Sequence, residues 1–249
     1  MKLAISNLAW NKNNEEIVFK ELNKLGIKYI EGVLSKIDSW ENLNEKKLID
    51  YKNNLLKNNL SILSIQSIFF NADINNIDDF NFIFHIKNII NFSKILGIKK
   101  IVFGSPVLRK KTNNLVNIFK LIDSLLKETD IYFLIEPNSK VYKGEYFFNL
   151  NEIIDFIEKN NLKNIKTMID THNLLLENKN PLNEYINYKD FIFHIHISEN
   201  NLNPIKNTKF HKNFSSVLKQ YKYNNIITLE MKENINIIKS INRFYDIYI

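Results

Sequence analysis

Short runs of aliphatic and aromatic residues alternate along this chain with longer stretches in which apolar residues recur every three or four positions. The short runs begin near Leu3, Lys28, Ser61, Lys99, Ile131, Ile165, Phe191 and Ile226 and have the length of strands. Helical spacing covers Asn14 to Leu25, Glu45 to Leu56, Phe80 to Leu96, Leu115 to Leu126, Leu150 to Ile157, Phe210 to Tyr221 and Ile235 to Tyr245. Gly26 and Gly97 close two of these stretches, where a helix end favours a left-handed residue. The sixth connection, Leu174 to Tyr188, contains Pro181 and reads as short and irregular. Eight strands, each followed by a helical connection, predict an α/β fold: a (β/α)8 TIM barrel forming a single domain over residues 1–249. A doubly wound open sheet would carry a glycine-rich turn after the first strand. Here that strand runs into Asn7-Leu-Ala-Trp10 instead.

Four of the strand-like runs close on a residue that can hold a divalent metal. They read Ile131-Tyr-Phe-Leu-Ile-Glu136, Ile165-Lys-Thr-Met-Ile-Asp170, Phe191-Ile-Phe-His-Ile-His196 and Ile226-Ile-Thr-Leu-Glu230. Strands deplete carboxylates, because a charge on a half-buried surface must be solvated or paired. Barrel active sites lie at the C-terminal ends of strands, so Glu136, Asp170, His196 and Glu230 are expected to converge at one rim around one ion. Two have a plainer explanation alone: Glu136 as a solvated strand end, and Asp170 as an Asx turn or cap for the next segment. His194 and His196 point to the same side of their strand, with His196 nearer the rim. Trp10 and Gln66 end the first and third strands and can line the pocket. His172, Asn173, Glu199, His211 and Lys232 are further candidates for substrate contact. Lys232 and the helix start at His211 would suit an anionic group. Gly104, after strand four, leaves room for close backbone approach.

Composition narrows the chemistry. There are no cysteines, so a metal must sit on oxygen and nitrogen donors. The net charge is +7, yet the 34 basic residues include only two arginines, Arg109 and Arg243, which argues against nucleic acid as a partner. Arg109-Lys110-Lys111 is expected to be a solvated loop. No apolar run has the length of a bilayer span, and the chain enters a strand directly at Met1-Lys-Leu-Ala-Ile5, so no membrane is expected and a cytoplasmic location fits.

These residues carry a resemblance. Ser6-Asn-Leu-Ala-Trp10, Ile30-Glu-Gly32, Ile65-Gln-Ser-Ile-Phe-Phe70, Val102-Phe-Gly-Ser-Pro106, Ile135-Glu-Pro-Asn138, His194-Ile-His-Ile-Ser-Glu199 and Leu229-Glu-Met-Lys232 make the chain similar to xylose isomerase-like TIM barrels. The closest group is the sugar phosphate isomerases and epimerases, which includes ketose 3-epimerases and endonuclease IV. The resemblance implies one divalent ion (Mn, Mg, Co or Zn) on Glu136, Asp170, His196 and Glu230, with the two glutamates as the acid/base pair. It implies a sugar or sugar derivative and proton transfer through an enediolate; a homo-oligomer is left open. Asn173, Leu202 and Tyr142 stand where the ketose epimerases carry a histidine, an arginine and a glutamate. An endonuclease IV-like zinc phosphodiesterase and a non-catalytic sugar- or partner-binding barrel are the alternative readings.

Overall fold

The computed structural model describes residues 1–72, 78–109 and 114–249. Its strands are β1 (Lys2–Ser6), β2 (Tyr29–Gly32), β3 (Ser61–Ile65), β4 (Lys100–Phe103), β5 (Tyr132–Ile135), β6 (Ile165–Asp170), β7 (Ile192–Ile197) and β8 (Ile226–Leu229). Each pairs in parallel with the next, and β8 pairs with β1, closing the expected eight-stranded barrel. The outer helices are α1 (Glu15–Leu25), α2 (Glu45–Lys57), α3 (Asp79–Leu96), α4 (Leu115–Leu126), α5 (Leu150–Lys159), α6 (Thr171–Leu176), α7 (Pro181–Tyr188), α8 (Thr208–Gln220) and α9 (Ile237–Tyr248). No helix among the described residues is long and apolar enough to cross a membrane.

Local chemistry explains the boundaries. Asn44, Asp78, Asn149 and Asn207 each accept the backbone N–H three residues on, which starts α2, α3, α5 and α8. Gly26 and Gly97 end α1 and α3 at φ of 70° and 80°, a region that costs glycine little. The sixth connection is more ordered than its proline suggests. Pro181 occupies the first turn of α7, where its missing N–H has no partner to lose.

Alternating strand residues separate two cores. Ile101, Phe103, Phe133, Ile135 and Ile169 belong to the large core between sheet and helices, where Phe103, Phe119, Phe133 and Phe147 pack ring to ring. The opposite parity gives a small cluster of Val102, Leu134 and Met168 inside the barrel. Polar side chains also face this interior, among them Ser64, Gln66, His194, His196 and Thr228. Lys100 crosses this interior, its Nζ donating to the Phe193 carbonyl and to Asn225 Oδ1. Burial lowers its pKa to about 8.

Arg109 is not in a solvated loop. Its side chain is fully buried and donates to the carbonyls of Phe147 (3.1 Å), Phe103 (2.8 Å) and Glu136 (2.6 Å). Lys110 and Lys111 lie outside the described residues. Burial brings the guanidinium down to about 10, so it stays charged at neutral pH. Arg109→Ala would strand three buried carbonyls at about 1–3 kcal/mol each, so denaturant unfolding should show a loss of at least about 3 kcal/mol. A loss below about 1 kcal/mol would mean that water replaces the guanidinium at these carbonyls.

Candidate metal centre

The four strand-end residues meet at the C-terminal mouth of the barrel. Asp170 is the last residue of β6, and His196 lies one residue before the end of β7. Glu136 and Glu230 sit one residue beyond β5 and β8, but their N–H groups still bond the neighbouring strands at Phe103 O (3.2 Å) and Ile197 O (3.0 Å). One potential ligand atom from each of the four residues lies within 4.8 Å of the others. His196 Nδ1 is 3.3 Å from Glu136 Oε1 and 3.3 Å from Glu230 Oε2, yet forms no hydrogen bond with either.

A carboxylate of β2 accounts for the orientation of that imidazole. Glu31 is completely buried, and His196 donates Nε2–H to its Oε2 at 2.9 Å. With a cation bound, this bond would keep the proton on Nε2 and leave the Nδ1 lone pair for the ion. His194 Nε2 lies 3.1 Å from the other oxygen of Glu31 and 3.2 Å from Thr228 Oγ1. Glu31, His194 and His196 form a second set whose atoms are close enough for a cation. An ion there would displace the hydrogen bond at His196 Nε2 and leave Nδ1 without a partner. The four-residue set satisfies both nitrogens and fits a divalent ion better.

Two of the three carboxylates at the rim, Asp170 and Glu136, are held in place. Asp170 Oδ1 accepts the Asn173 N–H (2.6 Å), so Asp170 also caps α6, and its Oδ2 accepts the Ser198 hydroxyl (2.6 Å). Thr171 Oγ1 donates to Ser198 O (2.9 Å) and accepts Ser198 N–H (3.0 Å), locking the ends of β6 and β7 together. Asn138 Nδ2 donates to Glu136 Oε2 at 3.3 Å. A Cβ on Gly104 would stand 2.0 Å from that oxygen, so the glycine is needed for the position of Glu136.

Electrostatics points the same way. Burial, then repulsion from Glu136 and Glu230, raises the Asp170 carboxyl well above its ordinary value. Burial opposes a charge on His196, but Glu230, Glu31 and Glu136 outweigh it and raise the imidazole well above its ordinary value. Burial brings His194 down to about 4, so it is neutral. Burial would raise Glu31, and the two imidazoles reverse that and lower it.

The substrate candidates divide. A cavity of about 290 Å³ is lined by Gln66, Phe70, Val107, Glu136 and Glu230, among others. A second, of about 260 Å³, shares Gly104, Pro106, Glu136 and Glu230 with it and adds Asn138, Tyr142, His172 and Asn173. Gln66, His172 and Asn173 therefore reach the mouth; Gln66 also donates to Ser6 Oγ at 2.7 Å. Trp10 does not. It lines a separate cavity of about 340 Å³ with Lys36 and Tyr51. His211 is buried in α8, where Nδ1 meets the Tyr248 hydroxyl at 2.8 Å and Nε2 lies 3.3 Å from Glu199 Oε1, because its helix packs that face against α9. Glu199 is occupied there by the N–H groups of Lys206 and Asn207. Lys232 is exposed and lines neither mouth cavity; its own N–H bonds Leu202 O at 2.9 Å. The expected anion site at His211 and Lys232 is thus not assembled at the mouth. His85 is structural, packed on Trp40 and Phe69.

In the sequence Glu31 stands within Ile30-Glu-Gly32 at the second strand, and nothing there pairs it with an imidazole. The recoverable signal is the His-x-His pair, since two buried imidazoles on one face require a polar partner.

Residues 19–246 match the family described as xylose isomerase-like TIM barrel. No curated protein is matched by the sequence. Among solved structures, a 3-keto-D-glucoside 4-epimerase from E. coli superposes with a TM-score of 0.73 at 16% identity, covering 99% of this chain and 97% of that one. D-psicose 3-epimerase from Clostridium cellulolyticum H10 gives 0.75 at 16% identity, covering 99% and 91%. An AP endonuclease of family 2 from Brucella melitensis gives 0.76 at 13% identity, covering 99% of each. At these identities the likeness establishes the shared fold.

Two outcomes test the centre. Protons on Asp170 and His196 compete with a cation, so Mn2+ should bind more tightly as pH rises from about 5 to 8 and should release protons. Calorimetry in buffers of different ionisation enthalpy reads that release, and a pH-independent affinity would contradict it. Glu31→Gln removes the negative charge and one of the two acceptor oxygens that face His196 and His194, and should weaken Mn2+ binding roughly 10–100-fold. Unchanged affinity would mean that packing alone sets the ring.

Proposed function

The chain belongs to the xylose isomerase-like TIM barrel family, and we propose that it is a metal-dependent isomerase or epimerase of a sugar or sugar derivative. One observation carries this reading. Glu136, Asp170, His196 and Glu230 present one donor atom each within 4.8 Å, and His196 Nδ1 is buried among them without a hydrogen bond. Three carboxylates and one imidazole suit Mn2+, Mg2+ or Co2+, with Zn2+ also compatible. Such an ion supplies Lewis acidity toward a carbonyl oxygen and the neighbouring hydroxyl, which acidifies the C–H between them.

The remaining work falls to the side chains. Glu136 arrives from β5 and Glu230 from β8, and both line the two cavities at the mouth. A sugar lying between them has one carboxylate on each face. One takes the proton from carbon, and the other, as the acid, returns a proton to the opposite face. No electrons are gained or lost. Asp170 and His196, each fixed by a second bond to Ser198 or Glu31, hold the frame. Asn138 and Gly104 keep Glu136 aimed into the cavity. The sugar epimerases among the structural neighbours catalyse chemistry of this type according to their names. A three-zinc phosphodiesterase reading finds less support, because His85 and His211 both lie away from the mouth.

Asp170→Asn tests the ion, since asparagine keeps the helix cap while the charge is lost. The folded variant should lose its bound metal, and full retention would sink the site assignment. For the reaction, turnover in deuterated water should place deuterium on the carbon beside the carbonyl. Glu136→Gln and Glu230→Gln should each slow turnover by roughly 10²–10⁴ with metal still present. Product free of solvent deuterium would replace proton transfer by a hydride shift.

A further inference from the structure

Neither cavity at the mouth is lined by a lysine or an arginine among the described residues, so a ligand there is read by neutral groups and by the carboxylates. In the cavity of about 260 Å³ the neutral donors divide. Asn138 Nδ2 donates to Glu136 Oε2 at 3.3 Å, and the Ser198 hydroxyl donates to Asp170 Oδ2 at 2.6 Å, so both serve the metal frame. Tyr142 lines the same cavity, and its hydroxyl has no hydrogen-bond partner among the described residues. Burial, then the charges of Asp170, Glu136 and Glu230, push its phenol above the ordinary value. All three carboxylates of the centre thus act on one hydroxyl, which remains a donor at neutral pH. His172, a neighbour in the cavity, answers instead to burial and to Glu199.

Tyr142 is held where it stands. It ends a short turn, Lys140–Tyr142, in which its own N–H donates to Ser139 O (3.1 Å) and the next N–H, of Lys143, donates to Lys140 O (2.9 Å). One carboxylate anchors that turn from outside: Glu177 Oε1 accepts the Ser139 hydroxyl (2.7 Å) and the Lys140 N–H (2.8 Å). Glu177 closes α6, the helix that Asp170 caps, so the turn and the candidate metal ligand share one support. On its other side the loop packs on the segment after β4, where a Cβ on Gly144 would stand 3.3 Å from Pro106 O. Glu136, Asp170 and His196 are buried, whereas Tyr142 is 43% exposed, so the phenol stands further out along the entrance than these ligands do.

We propose that Tyr142 is a specificity-determining substrate contact, its hydroxyl donating a hydrogen bond to a sugar oxygen beyond the reacting carbons. This role rests on the reading of the metal centre given above, in which the carbonyl oxygen and the neighbouring hydroxyl face the ion. Ion and phenol are then two fixed points that align the carbon chain between Glu136 and Glu230. The substrate class that uses both points is an α-hydroxyketone carrying further hydroxyl groups. A three-carbon hydroxyketone reaches the ion alone. Such a donor discriminates because, without the phenol oxygen, the sugar oxygen is left unpaired inside the cavity.

For the test, the Mn2+-loaded full chain is titrated with hydroxyacetone and with the ketohexoses D-fructose, D-psicose, D-tagatose and L-sorbose. Affinities are read by ligand-observed NMR, and metal content is measured in the same samples. At least one ketohexose should bind about fivefold or more tightly than hydroxyacetone. Tyr142→Phe should weaken that ketohexose by roughly 3–10-fold, while Mn2+ content and hydroxyacetone affinity stay unchanged. No ketohexose preference in the wild type, an unchanged ketohexose affinity in Tyr142→Phe, or equal weakening of both ligands would overturn the proposal. Binding that persists without Mn2+ and still falls with Tyr142→Phe would sink the metal-dependent reading alone. Metal-dependent binding that ignores Tyr142→Phe would sink this contact alone.

Discussion

Glu136, Asp170 and Glu230 are brought together at a buried rim where like charges repel and water is scarce, and the architecture of the mouth answers that repulsion. Left without a cation, such a cluster holds protons, as the upward shifts of Asp170 and His196 show. The counterpart is a second negative charge placed on the far side of the imidazole. Glu31 holds His196 by Nε2 and turns its other nitrogen toward the carboxylates. Around Glu31 the barrel interior holds polar side chains, His194, His196 and Thr228 among them, while Val102, Leu134 and Met168 form an apolar cluster elsewhere in it.

The barrel was legible because its evidence is distributed. Eight apolar runs, Gly26 and Gly97 at helix ends, and asparagines or Asp78 before α2, α3, α5 and α8 all agree. Pro181 misled because a proline at the first turn of a helix and a proline in a loop look alike without the helix that follows. Arg109 misled more seriously. Two lysines after it make the segment look solvated, and only the folded chain shows three carbonyls converging on one guanidinium.

The convergence of Glu136, Asp170, His196 and Glu230 was legible for a geometric reason: in a closed parallel barrel, the residue ending each strand must point at one mouth. Loop residues have no such rule. Glu199 follows its strand as closely as His172 does, yet it turns to other partners, as do Trp10 further along its connection and His211 inside α8. Glu31 escaped for the opposite reason, since it lies one layer beneath the rim.

Arg109 also governs how the mouth can deform. One side chain ties the carbonyl ending β4, that of Glu136 after β5, and that of Phe147 beyond it. The guanidinium therefore joins the described segments after β4 and β5 and holds the Glu136 backbone between them. Asn201 and Leu202, after β7, line a mouth cavity from outside this clamp. The position of Glu136 at the mouth is thereby tied to a side chain supplied from the segment after β4.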